Sequence, residues 1–175
     1  MDVAAIKRQY ARDGFALGPK VLDEQQVATL CREMQRVIDE QDKPGPKPVW
    51  VRNLSGKADA PVWQIVMSPA VVELASALSG ARELRVWHDQ IQYKPAAQGG
   101  VNMWHQDAPY WPPLEPKDQQ ITAWIALDDA DADNGCMSMV PGSQAWGVQV
   151  DFLHTLKTFD AMPEQHEGHT VRVRS

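Results

Sequence analysis

The sequence predicts an antiparallel β-barrel or jelly roll with helices packed outside it. Helical periodicity and helix caps are confined to roughly the first 80 residues. Short runs with strand character follow, at 84–94, 121–127, 136–140 and 171–174. Turn signals separate them, at Gly99-Gly100, Asn134-Gly135 and Pro141-Gly142-Ser143. Helices first and strands afterwards favour an antiparallel sheet architecture over alternating βαβ units. At 175 residues the chain reads as a single domain, 1–175. A chain of that size buries about two thirds of its unfolded surface.

The first helix is expected over 3–12, where Ile6 and Tyr10 share a face and Asp13-Gly14 supplies a stop. Phe15 to Leu17 reads as a short strand. Asp23 is then an N-cap, with Gln26 in capping-box position and Leu22 placed as a hydrophobic staple. Val27, Leu30, Cys31, Met34, Val37 and Ile38 form one apolar stripe, so a packing helix runs to about Glu40. The D-K-P-G-P-K-P run at 42–48 is a loop, because proline fixes φ and removes a donor. Val49 to Val51 reads as a strand, and Ser68-Pro69 opens a helix that ends at Gly80. Val86, Trp87, Ile91 and Tyr93 make 84–94 a strand, with a bulge near His88-Asp89. Prolines at 109, 112, 113 and 116 force an irregular loop. The clearest alternation is 121–127, which Asn134-Gly135 would join to 136–140 as a hairpin. The stretch 145–168 is compatible with one helical turn or an ordered loop, and 171–174 alternates like the start of a strand.

Composition narrows the function classes. A net charge of −6, from 17 basic and 23 acidic residues, offers no footprint for nucleic acid or an anionic membrane. Asp2, Lys7 and Arg8 argue against a signal peptide, so a cytoplasmic protein is expected. Cys31 and Cys136 form no C-x-x-C and read as small buried hydrophobes.

The chemistry concentrates in 101–111, V-N-M-W-H-Q-D-A-P-Y-W. If this segment is extended, His105 and Asp107 lie on one face. An imidazole and a carboxylate together are two thirds of the facial triad that holds non-haem Fe(II). A His-x-Asp pattern also arises by chance as a surface hydrogen bond, so its context decides. A zinc hydrolase is a poorer reading, since no H-E-x-x-H or cysteine ligand set accompanies the pair. A non-catalytic binding module is the main alternative, with Trp104, Tyr110 and Trp111 forming an aromatic pocket.

Four blocks in order supply that context: Y-K-P at 93–95, W-H-Q-D-A-P-Y-W at 104–111, I-T-A-W-I-A-L-D-D-A at 121–130 and N-G-C-M-S-M-V-P-G-S at 134–143. The chain resembles the phytanoyl-CoA dioxygenase family. The D-G-F that closes the first helix and the D-E-Q-Q-V of the second are similar to that family as well. The resemblance implies a mainly β, double-stranded β-helix of the cupin type with flanking helices. Its helical part would be about 1–80 and its β-helix part about 84–175. It implies an enzyme that uses Fe(II), 2-oxoglutarate and O₂ to hydroxylate a small organic substrate. His105 and Asp107 match the first two iron ligands. Asp107 is the carboxylate that related halogenases replace, so hydroxylation is implied here. Gln90, Trp124 and Arg52 match positions near the 2-oxoglutarate. Lys94 belongs to the Y-K-P block, where snorkelling at the barrel rim explains it.

One part of the family pattern is not found. A second iron-binding His, followed by an Arg for the distal carboxylate of 2-oxoglutarate, has no clear match among His154, His166 and His169, although His166 is followed by Arg174. The expectation is a barrel incomplete at its C-terminus: a truncated enzyme, or a short form whose iron site is lost or rebuilt. Two ligands alone should bind metal weakly, and exposed strand edges should favour self-association.

Overall fold

The computed structural model describes residues 1–40, 49–52, 60–96, 100–113, 115–159 and 171–173. The proline-rich loop at 42–48, Gly99 of the predicted turn, and His166, His169 and Arg174 lie outside the described residues. Contacts divide the chain into two compact units, one of 1–18, 101–122 and 128–175, the other of 19–100 and 123–127.

The second of these is built on helix α2, Glu24–Asp39, the longest of the described helices. Its start is the capping box the sequence predicts. Gln26 N–H donates to Asp23 Oδ1 at 2.8 Å, and Asp23 N–H donates to Gln26 Oε1 at 2.8 Å. Two of the four donors that a helix start leaves orphaned are thereby satisfied. The apolar stripe turns Leu30, Met34 and Val37 inward, and these bury with Leu22 and Val62 into one core. Along the flank of this stripe Arg36 pairs with Glu33 and Glu40. Helix α3, Ala60–Val66, brings Val62, Ile65 and Val66 to that core. Helix α4, Pro69–Ser79, begins with proline in its first turn and ends at Gly80, as its sequence predicts, though the Ser68 side chain makes no capping bond. Strands β1, Val49–Arg52, and β2, Gln90–Tyr93, pair antiparallel, with Arg52 opposite Gln90 and Val49 opposite Tyr93.

In the other unit helix α1, Val3–Asp13, is capped by the Asp2 side chain, which accepts from Ala5 N–H at 3.0 Å. It ends at Gly14 in the left-handed region, φ 82°. Its last turn is finished from far along the chain: Gly142 N–H donates to Asp13 O at 2.9 Å, and Gln144 Nε2 donates to Arg12 O at 3.2 Å. A Cβ on Gly14 would stand 2.5 Å from Gln144 Oε1, so the glycine also makes room for this docking. Strands β3, Met137–Met139, and β4, Val171–Val173, pair antiparallel with Met137 opposite Val173. Helix α5, Val150–Thr155, is the helical turn anticipated within 145–168.

Several expectations are corrected. The described residues contain five α-helices but only four strands of three or four residues, so a mainly β content is not seen among them. Residues 15–17 form no strand, and only the last third of 84–94 does. Residues 121–127 are irregular despite their alternation. A strand needs a neighbour for its backbone groups, and among the described residues Met137–Met139 pair with β4 and not with 121–127. The alternation still orients side chains: Ile125 and Leu127 pack on the core, and Leu127 O accepts from the Cys31 thiol at 3.6 Å. Asn134-Gly135 closes an acidic loop on itself and makes no hairpin. Asp131 Oδ1 accepts from the N–H groups of Asp133 and Asn134 at 2.8 and 3.1 Å, while Asn134 Oδ1 accepts from Asp131 N–H at 2.8 Å. Asx side chains mimic backbone turns in this way and compete with ladder pairing. Among the described residues no helix is long and apolar enough to cross a membrane.

Candidate metal centre

Residues 101–107 keep the period of a strand without joining a sheet. Val101, Met103, His105 and Asp107 are exposed, whereas Asn102, Trp104 and Gln106 are half-buried. His105 and Asp107 therefore emerge side by side, with His105 Nε2 3.4 Å from Asp107 Oδ1. Asp107 has helical backbone angles, φ −68° and ψ −48°, and leads into the 3-10 turn Ala108–Tyr110.

His105 Nδ1 lies 2.7 Å from the Met103 carbonyl oxygen, which can only accept. Nδ1 is thus the protonated nitrogen of the neutral ring, and the Nε2 lone pair faces the Asp107 carboxylate. Two acceptors turned toward each other need a proton or a cation between them. The proton solution makes the ring more basic. The Asp107 carboxylate raises the pKa of the His105 imidazole above its ordinary value, partial desolvation of the ring works against this, and the Met103 carbonyl adds to it. The cation solution uses the same atoms, since a backbone carbonyl on the distal nitrogen orients metal-bound histidines. An imidazole nitrogen beside a hard carboxylate fits Fe(II), so the pair can hold two positions of an iron site.

Among the described residues no group of three or more His, Cys, Asp or Glu comes together to complete a site. His154 instead has Nε2 3.0 Å from the Tyr110 hydroxyl. Trp104, a candidate wall of an aromatic pocket, stacks on Phe159. The other candidates belong to the second unit. Arg52 and Gln90 are register partners in β1 and β2, which brings two positions far apart in sequence together at one place in the sheet. The Gln90 side chain has Oε1 3.4 Å from His88 Nε2. Trp124 is partly exposed on the irregular 121–127 segment.

Sequence reasoning gave no role to Gln106, between the two candidate ligands. Its Nε2 donates to Gly147 O at 2.9 Å, and its Oε1 accepts from Gln149 N–H at 2.7 Å. The only sequence signal was its place in the alternation, as a polar residue on the inward side.

Comparison with known proteins gives the chain a family. The model of the phytanoyl-CoA dioxygenase (PhyH) family matches residues 10–172, and the chain belongs to that family. L-proline trans-4-hydroxylase of Streptomyces griseoviridis is 30% identical over 83% of this chain and 56% of its own length. Ectoine dioxygenase of Bordetella parapertussis is 25% identical over 78% of this chain and 47% of its own. The chain thus spans about half the length of these curated relatives. Among solved structures, SnoN, a non-heme alpha ketoglutarate dependent epimerase from nogalamycin biosynthesis, superposes with a TM-score of 0.70. That match covers 98% of this chain and 68% of SnoN at 21% identity, so the two share a fold.

Proposed function

We propose that the chain carries the iron-binding segment of an Fe(II)- and 2-oxoglutarate-dependent dioxygenase that hydroxylates a small organic substrate, on a double-stranded β-helix. The contact of His105 Nε2 with Asp107 Oδ1 at 3.4 Å carries this reading. Family membership and the names of the relatives support it. His105, with its Nδ1 proton held by Met103, offers a neutral imidazole lone pair, and Asp107 offers a hard anionic oxygen. Bound iron would supply the coupling of O₂ reduction to decarboxylation of 2-oxoglutarate, giving succinate, CO₂ and a hydroxylated substrate. Gln90 is assigned an amide donor role toward a cosubstrate carboxylate, Arg52 a charge-pairing role, and Trp124 an apolar wall. His154, His166 and His169 are the candidates within this sequence for a third ligand.

A compact zwitterionic substrate suits the chain better than a multiply anionic acyl-CoA ester, since the net charge is −6. The relatives named for L-proline and ectoine point the same way. The test is anaerobic titration with Fe(II) or Co(II) of the native chain, His105→Ala and Asp107→Ala. Metal binding should be lost in both variants. Binding unchanged by either substitution sinks the assignment and leaves a metal-free binding module.

A further inference from the structure

We propose that Gln106 is the positioning residue of this centre, fixing through the backbone the side-by-side emergence of His105 and Asp107; the inference rests on the metal-site reading above. A strand is ordinarily held in register by its ladder, yet residues 101–107 join no sheet among the described residues. Gln106 takes the place of a ladder partner. Its side-chain donor and acceptor are both engaged, Nε2–H on Gly147 O at 2.9 Å and Oε1 on Gln149 N–H at 2.7 Å. The amide therefore has one orientation, because a flip would set donor against donor and acceptor against acceptor.

Exposure alternates along 101–107, so a residue anchored inward leaves both of its neighbours outward. Here those neighbours are His105 and Asp107. The receiving backbone is itself specialised. Gly147 sits at φ 70° and ψ −161°, a region open essentially to glycine alone, and its carbonyl is the one that Gln106 meets. No Cβ clash would arise at that glycine, so the backbone angles, and not crowding, account for the residue. Gln106 touches neither metal nor substrate in this scheme. It acts through the chain it holds.

The test is Co(II) titration followed by visible absorption, beside thermal melting of the metal-free protein, for the native chain, Gln106→Met, Gln106→Glu and His105→Ala. Gln106→Met keeps the length and removes both hydrogen bonds. It should weaken Co(II) binding by about tenfold or more and alter the ligand-field bands. Gln106→Glu keeps the acceptor for Gln149 and loses the donor, so its affinity should fall between the two. A merely structural side chain would shift the melting temperature without changing the bands. If His105→Ala binds Co(II) like the native chain, the metal-site reading fails and this inference with it. If His105→Ala abolishes binding while Gln106→Met keeps native affinity and bands, the positioning role is overturned and the metal centre stands. Should Gln106→Met not fold, native affinity and bands in Gln106→Glu overturn it equally.

Discussion

Trp104 is bound to Phe159 in two ways at once: the rings stack with centroids 4.9 Å apart and planes within 9°, and the indole Nε1–H donates to the Phe159 carbonyl at 2.8 Å. Stacking and hydrogen bonding can be separated by substitution. Trp104→Phe retains an aromatic face but leaves the carbonyl without its donor, and should cost about 1–2 kcal/mol. Trp104→Ala removes both and should cost about 3 kcal/mol or more. Urea unfolding midpoints measure the two losses. Equal losses would show that the stack contributes nothing.

The His105 ring should report its neighbour through pH. Its folded-state pKa is raised, chiefly by Asp107, so the charged pair stabilises the metal-free protein. That contribution is fully present below the unfolded value of about 6.5 and is lost as pH rises through the higher folded value. Proton and metal compete for Nε2, so metal affinity should climb across the same window. In Asp107→Asn the NMR titration midpoint of His105 should move down. A midpoint that stays put would mean that Asp107 is not the cause.

At Gly147 the expected cost is conformational. Gly147→Ala places a Cβ in open space but at φ 70° and ψ −161°, which should destabilise the chain by roughly 1–3 kcal/mol. The Gln149 amide, which donates to Gln106, should then exchange faster with deuterium. A variant as stable as the native chain, with the amide still protected, would show that the angles can relax.

Helix α2 allows a cap to be compared with a core contact in one element. Asp23→Ala removes the capping bond to Gln26 and should cost about 1 kcal/mol. Leu30→Ala opens a cavity in the core and should cost about 2–5 kcal/mol. Denaturant midpoints that ranked the two in the opposite order would mean that the core collapses around the smaller side chain.

What the sequence made legible was whatever is decided locally. The capping box at Asp23, the stripe through Leu30, Met34 and Val37, and the proline start and glycine stop of α4 need no distant partner. The same holds for the shared exposure of His105 and Asp107, which follows from period alone. Helix α3 was missed because Val62, Ile65 and Val66 are β-branched, although their spacing of three and four was helical. The 121–127 segment failed in the other direction. Its alternation placed Ile125 and Leu127 toward the core but not the exposed Ala123, and a ladder depends on another segment arriving alongside. Gln106 was invisible for a similar reason, since its partners lie some forty residues away.

The docking of Gln144 on the end of α1 makes the two positions epistatic. Gly14→Ala meets two separate obstacles, a backbone at φ 82° and an oxygen of Gln144 2.5 Å from the new methyl group. Trimming Gln144 to Ala would relieve the second and leave the first, while giving up the bond to Arg12 O. The double variant should therefore be less damaged than the sum of its single changes, yet remain below Gln144→Ala alone. An alanine at position 14 is thus tolerated best in a descendant that has already lost the glutamine, and the order in which the two changes arrive decides whether the path between them stays folded.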